Sequence, residues 1–149
     1  MDRYAASGTQ TAVGASPGKT ALVVLASALT RAKIHHFALS VGGTPVADNI
    51  LEWLIRRVTA DGTGTAVTPT LLDPGAPVAQ LTARQGYSAE PTFGTTLFDL
   101  AVHQRSIYQW NATPGGELVL PATAGAGIGL TPVHASYAGA AGSVAHWSE

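Results

Sequence analysis

The chain contains no cysteine. Disulfides, thiolate nucleophiles and cysteine-ligated zinc are therefore excluded, and the fold must hold by packing and hydrogen bonding alone. Charge is almost as scarce. Asp, Glu, Lys and Arg make up 11% of the residues and nearly cancel, leaving a formal net charge of −1, against about 25% charged residues in ordinary soluble domains. A phosphate backbone or an anionic bilayer has no electrostatic reason to bind such a surface, so neither nucleic acid nor membrane is expected as a partner. Long apolar runs are missing too: the strongest, Ala21 to Ala26, is far short of a bilayer span. Met1 to Lys19 has neither the basic start nor the apolar core of a secretory signal. Together with the missing cysteines, this points to a soluble protein made in a cytoplasm.

What fills the space is Ala, Gly and Thr. At 149 residues the chain has the size of one domain and can bury about 70% of the surface that its unfolded form exposes. A surface with so little repelling charge tends toward association, and much of it is expected to be covered in the working state.

Residues 1–19 have no sustained hydrophobic period and read as a flexible N-terminal arm. Residues 20–149 read as one β-sandwich domain. Ala21 to Ala26 is a short buried strand. Arg31 to Val41 is a second, with Ile34, His36 and Ala38 on one face and Lys33, His35, Phe37 and Leu39 on the other, ended by the breaker Gly42-Gly43-Thr44-Pro45. Ile50 to Thr59 carries both a helical spacing, with Asp48 or Asn49 as cap, and a strand pattern that groups Leu51, Trp53 and Ile55 opposite Glu52 and Arg56. The strand is chosen because the run flows into Gly62 to Thr68, a turn followed by strand composition. Val78 to Gln85, stopped by Gly86, is expected to be one short helix. The clearest pattern runs from Thr96 to Trp110, where Phe98, Leu100, Val102, Tyr108 and Trp110 share one side of an alternating chain. It is expected to be a single long strand, with room for a bulge near its middle. Glu117 to Leu120, Ile128 to Tyr137 and Gly142 to Trp147 supply the remaining strands. Turns recur at about the 8–12-residue spacing of a sandwich, and the expected architecture is all-β: a jelly-roll-like antiparallel sandwich.

Motifs for chemistry are weak. Gly14-Ala15-Ser16-Pro17-Gly18-Lys19-Thr20 resembles a phosphate loop but has three residues between its glycines where four are needed, and it opens a strand. Of the histidines His35, His36, His103, His134 and His146, the adjacent pair should point to opposite faces of a strand and cannot chelate one ion together. Asp48, Glu52, Asp61, Asp73, Glu90, Asp99 and Glu117 are scattered, without the paired carboxylates of a glycosidase. Trp53, Trp110 and Trp147 on alternating strands read as core or interface residues. Asn111-Ala112-Thr113 matches a glycosylation acceptor but lacks a secretory context. No catalytic, cofactor-binding or metal-ligating residue is assigned, no cofactor is expected, and the chain is not read as an enzyme.

Two stretches carry a family resemblance. One is Gly43-Thr44-Pro45-Val46-Ala47-Asp48-Asn49, with Glu52-Trp53, Thr63 to Pro69 and Leu72-Asp73-Pro74 following. The other is Gln104-Arg105, Gln109-Trp110, Pro114-Gly115-Gly116-Glu117-Leu118 and Pro121 to Ala124. With the closing strand, they resemble small virion proteins of tailed bacteriophages, most of all capsid decoration (cement) proteins. The resemblance implies a structural protein on the outer capsid surface that bridges major capsid protein subunits, often as a homotrimer, with an N-terminal segment pairing with capsid strands. It places the chain in the virion after synthesis in the host cytoplasm. A second reading is a tail or fibre receptor-binding module, which would need a rim of exposed aromatics such as Tyr87, Phe93, Trp110 or Tyr137. A third is a small β-sandwich enzyme, with His103 as the residue to test.

Overall fold

The computed structural model describes residues 1–42, 49–137 and 139–149; the Gly43–Asp48 part of the first resemblance stretch, most of the breaker and the helix cap Asp48 lie outside them. The described residues form β1 (Arg3–Gln10), β2 (Leu22–Leu25), β3 (Lys33–Val41), β4 (Ile50–Ala60), β5 (Thr63–Val67) and β6 (Thr70–Leu71). They continue with β7 (Thr82–Ala89), β8 (Thr92–His103), β9 (Ile107–Asn111), β10 (Leu118–Val119), β11 (Gly127–Val133) and β12 (Ala141–Ser148). Two antiparallel six-stranded sheets pack as a sandwich. The first has the order β10-β3-β12-β1-β6, with β9 also pairing β3, and the second the order β5-β7-β2-β11-β4-β8.

Period-two alternation builds the core between them. Tyr4 and Ala6 of β1, Ile34, Phe37 and Leu39 of β3, and Ala145 and Trp147 of β12 face Leu22 and Val24 of β2, Leu51, Trp53 and Ile55 of β4, and Ile128 and Leu130 of β11. The strand reading of Ile50 to Thr59 is correct, with Leu51, Trp53 and Ile55 buried together. A smaller apolar cluster of Val23, Leu25, Val58 and Tyr87, with Phe93 against it, lies on the opposite face of the second sheet.

Four expectations fail for identifiable reasons. No helix forms among the described residues. In the span Val78 to Gln85, the N–H groups of Gln80 and Leu81 donate to the Glu149 carboxylate at 2.8 and 3.0 Å. Leu81 is buried, and the chain then enters β7, where Thr82 is exposed and Ala83 buried, so tertiary pairing with β2 and β5 overrides a short helical spacing. Gly86, with φ 55°, ends the regular ladder with β2. The Gly86 and Tyr87 N–H groups bond the carbonyls of Ala21 and Thr20, a glycine-dependent irregularity that turns Tyr87 toward the outer cluster.

The N-terminal arm is not an arm: residues 3–10 are an interior strand of the first sheet, paired along their length with β12 and, at Tyr4 and Ala5, with β6. Tyr4, Ala6, Gly8 and Gln10 are buried. Small and polar residues at alternate positions hid this strand, because the inward positions after Tyr4 are Ala6, Gly8 and Gln10. The division at residue 19 therefore separates nothing; Arg3 to Gln10 belongs to the body.

Thr96 to Trp110 is two strands, not one. β8 lies at the edge of the second sheet and β9 in the first, joined by a turn in which the Ser106 N–H bonds the His103 carbonyl at 2.9 Å. The apolar positions survive the corner, since Phe98, Leu100, Tyr108 and Trp110 all pack against the same core. Alternation along a chain does not record which sheet it runs in.

Last, the two faces assigned to Arg31 to Val41 hold on each side of His35 but not across it. β12 pairs His146 with His36 and then Trp147 with Ile34, so His35 is an extra residue in a β-bulge. The bulge shifts the parity, placing Ile34, Phe37 and Leu39 inside together.

Candidate functional site

Once the core is assigned, the outer face of the first sheet stands out. Its rows follow from the ladder registers: Thr9, Gly142, Ser40 and Ile107; then Ser7, Val144, Ala38 and Gln109; then Thr70, Ala5, His146, His36 and Asn111. None of these positions is Asp, Glu, Lys or Arg, and all are at least partly exposed. Small side chains on β1 and β12 between larger ones on β9 leave a shallow depression of about 360 Å³ lined by Ser7, Thr9, Ala38, Ser40, Gln109 and Val144. The interior of a sheet presents no unpaired backbone groups, so this face offers apolar contact and scattered hydroxyl and amide hydrogen bonds.

At one end of the face three histidines gather, contrary to the expectation that His35 and His36 diverge. The His36 and His146 rings lie 4.6 Å apart, centroid to centroid, and His35 meets His146 edge-on at 6.4 Å. The bulge at His35 brings it to the same side. His36 Nδ1 is 2.9 Å from Asn111 Oδ1, and the groove beyond His35 is bordered by Arg3, Lys33 and Glu117. Glu117 ionises below the usual carboxylate range because its own N–H and that of Gly115 donate to it, with Lys33 and His35 adding to the effect.

His146 loses its proton more readily than an ordinary histidine, first because it is partly buried and then because His36 and His35 disfavour a further positive charge. In the unfolded chain the imidazole takes up a proton near its ordinary value of 6.5, so between that value and the lower folded one the unfolded state binds more protons. Stability is then full above that value and declines as pH falls through the folded pKa. The thermal midpoint should be lower at about pH 5 than at about pH 7.5, and His146→Gln should remove part of that decline. An equal decline in the variant would assign it to other groups.

The other sequence candidates are structural. Gly14 to Thr20 packs across β11, where a Cβ at Gly18 would lie 2.6 Å from the Pro132 carbonyl, and Thr20 is tied by its N–H and hydroxyl to Glu90. Asp61 takes the Tyr87 hydroxyl at 2.8 Å and pairs with Arg84 at 3.0 Å; burial, then that bond, pushes the Tyr87 phenol up. Asp73 accepts the Gly75 N–H of its turn, while Glu52 and Asp99 stand exposed on separate positions of the second sheet. His134 accepts the Ser136 N–H at 3.2 Å and His103 the Arg105 N–H at 3.2 Å.

No protein-family model, curated protein or solved structure matches this chain.

Trp53 and Trp147 are fully buried and Trp110 stacks on Phe37 at 5.0 Å, so the tryptophans line no cleft. Nor do the four aromatics named for the receptor-binding reading form an exposed rim. Tyr87 is buried, Phe93 lies beneath the Arg56 guanidinium at 3.6 Å, and the Tyr137 hydroxyl bonds the Gly42 carbonyl. Sequence reasoning missed the uncharged face and the histidine group. Both depend on which strands adjoin β12, and the only local hint was the low charge of the whole chain.

Proposed function

We propose that this chain is a decoration (cement) protein of a tailed-bacteriophage head. It binds the outer capsid surface and bridges major capsid protein subunits, as a homo-oligomer with a trimer favoured. The observation that carries the reading is the stretch of the first sheet's outer face from the Thr9 row to the Thr70 row, which holds no Asp, Glu, Lys or Arg and can be covered by a neighbour without stranding a buried charge. With β1 built into the sheet, docking runs through faces and edges of the sandwich, and strand addition by a free arm is no longer part of the mechanism. The face spans about 14 Å across four strands at ordinary strand spacing. It is therefore the centre of an interface rather than the whole of one, since stable complexes bury about 800 Å² per partner.

The strand order supports the jelly-roll form. Apart from the β5–β7 excursion and β10, the ladders join β1 with β12, β2 with β11, β3 with β9 and β4 with β8. That is one long antiparallel hairpin rolled on itself, with β3–β12 and β4–β11 closing the roll.

Purified protein mixed with expanded, undecorated heads should sediment with them at a stoichiometry set by the capsid lattice. Val144→Glu or Ala38→Glu should cut that binding by about tenfold or more while leaving the circular dichroism unchanged. Electron cryomicroscopy of the parent virion gives the direct check, and heads lacking this chain on their outer surface reject the proposal.

A further inference from the structure

We propose that His36 and His146 form an open two-imidazole site for a borderline transition-metal ion such as Zn²⁺ or Ni²⁺ on the outer face of the first sheet. The two residues are directly opposite each other in the β3–β12 ladder, which holds their Cβ atoms about 5 Å apart. Their rings are 4.6 Å apart and tilted by 43°. Two nitrogens that each sit about 2.0–2.1 Å from one ion need ring separations of this order, so small rotations about the side-chain bonds bring both lone pairs onto a shared point.

Asn111 prepares one of the two. Its amide oxygen accepts from His36 Nδ1 at 2.9 Å, which places the proton on Nδ1 and leaves Nε2 as the free lone pair. A hydrogen bond to the second ring nitrogen is how proteins orient a ligating imidazole. The backbone adds rigidity, because β3 and β12 are both interior strands of the sheet.

No group of three His, Cys, Asp or Glu side chains among the described residues is arranged to hold an ion. The remaining coordination positions therefore belong to water or to an incoming ligand, and the ion exchanges freely. His35 contacts His146 only edge-on at 6.4 Å and borders the groove with Arg3 and Lys33, so it is not counted as a ligand. Imidazole pairs select zinc, copper and nickel, whereas magnesium and calcium require oxygen donors. The site stands independently of the capsid role, since it needs neither a shell nor a second subunit.

The test is calorimetric titration of tag-free protein at about pH 7.5, where unperturbed imidazoles are neutral, with ZnCl₂ and with NiCl₂. One saturable site is expected, and MgCl₂ and CaCl₂ should give none. His36→Ala and His146→Ala should each weaken Zn²⁺ binding at least about tenfold, and Asn111→Ala by about tenfold, the low end for an orienting partner. His35→Ala and His103→Ala should stay within about threefold of wild type, less than 1 kcal/mol in binding free energy. In the unaltered protein, the ring resonances of His36 and His146 should move together on adding Zn²⁺, a readout that does not depend on any variant folding. The proposal is overturned by no saturable heat up to about 1 mM Zn²⁺, the weak limit of specific binding. Undiminished binding in His146→Ala, or a loss in His35→Ala as large as in His146→Ala, overturns it equally.

Discussion

Trp53→Ala should lower the unfolding free energy by about 3–5 kcal/mol, the usual cost of deleting a large aromatic ring from a packed core. Trp53 is fully buried in β4, between Leu51 and Ile55 on the face turned toward the first sheet. Domains of this size have about 5–15 kcal/mol in total, so the variant should be marginal at best. The contrast with Trp53→Phe makes the result informative. The indole Nε1 is buried without a hydrogen-bond partner, and an unmet buried N–H costs about 1–3 kcal/mol. Phenylalanine removes that cost while keeping most of the apolar area, so the net loss should stay under about 1.5 kcal/mol. Urea unfolding with an unchanged m-value separates the two. Equal damage from both substitutions would mean that the indole nitrogen has a partner after all.

Glu90→Ala should produce the second large effect, about 2–4 kcal/mol. The Glu90 carboxylate accepts the Thr20 N–H at 3.0 and 3.1 Å and also the Thr20 hydroxyl, whose oxygen lies 3.0 Å from Thr131 Oγ1. It also attracts Arg56, whose ionisation is otherwise opposed by burial. That guanidinium caps Phe93 and donates to the Pro17 carbonyl at 3.1 Å. Removing the carboxylate therefore leaves a buried Thr20 N–H unmet and a buried cation without one of its counter-charges. Glu90→Gln keeps an acceptor and should lose roughly half as much. Amide exchange should quicken first in residues 11–20, which Glu90 and Arg56 hold against β11. A loss below about 1 kcal/mol would mean that water replaces the carboxylate without cost.

Much of the body could be read from the chain because inward positions of β2, β4 and β8 carry large apolar residues at period two. The alternation of Leu51, Trp53 and Ile55 decided between helix and strand correctly. Where inward residues are Ala or Gly, as along β1, hydropathy carries no contrast and the strand passed for an arm. A helical spacing at Val78 to Gln85 yielded where the Gln80 and Leu81 N–H groups donate to the Glu149 carboxylate, a partner nearly seventy positions away that no local pattern could announce. The candidate face is a product of register. Ala38, Val144 and Ser7 are unremarkable singly and become a surface only when β1, β12, β3 and β9 lie side by side. Likewise, the extra residue that brings His35 and His36 to one side is a property of the pairing with β12, not of the dipeptide.

The pairing of β1 with β12 sets Arg3 opposite Ser148 and lets the Glu149 N–H reach the Asp2 carbonyl at 3.1 Å. During synthesis, β1 must therefore wait for residues 141–148 before its longest ladder exists. At about 5–20 residues per second that delay is roughly 7 to 30 seconds, with Tyr4 exposed to whatever else is nascent. Such a topology postpones closure until translation of that segment ends and makes the final step slow. A chain cut before residue 141 would keep an open seam between β1 and β3.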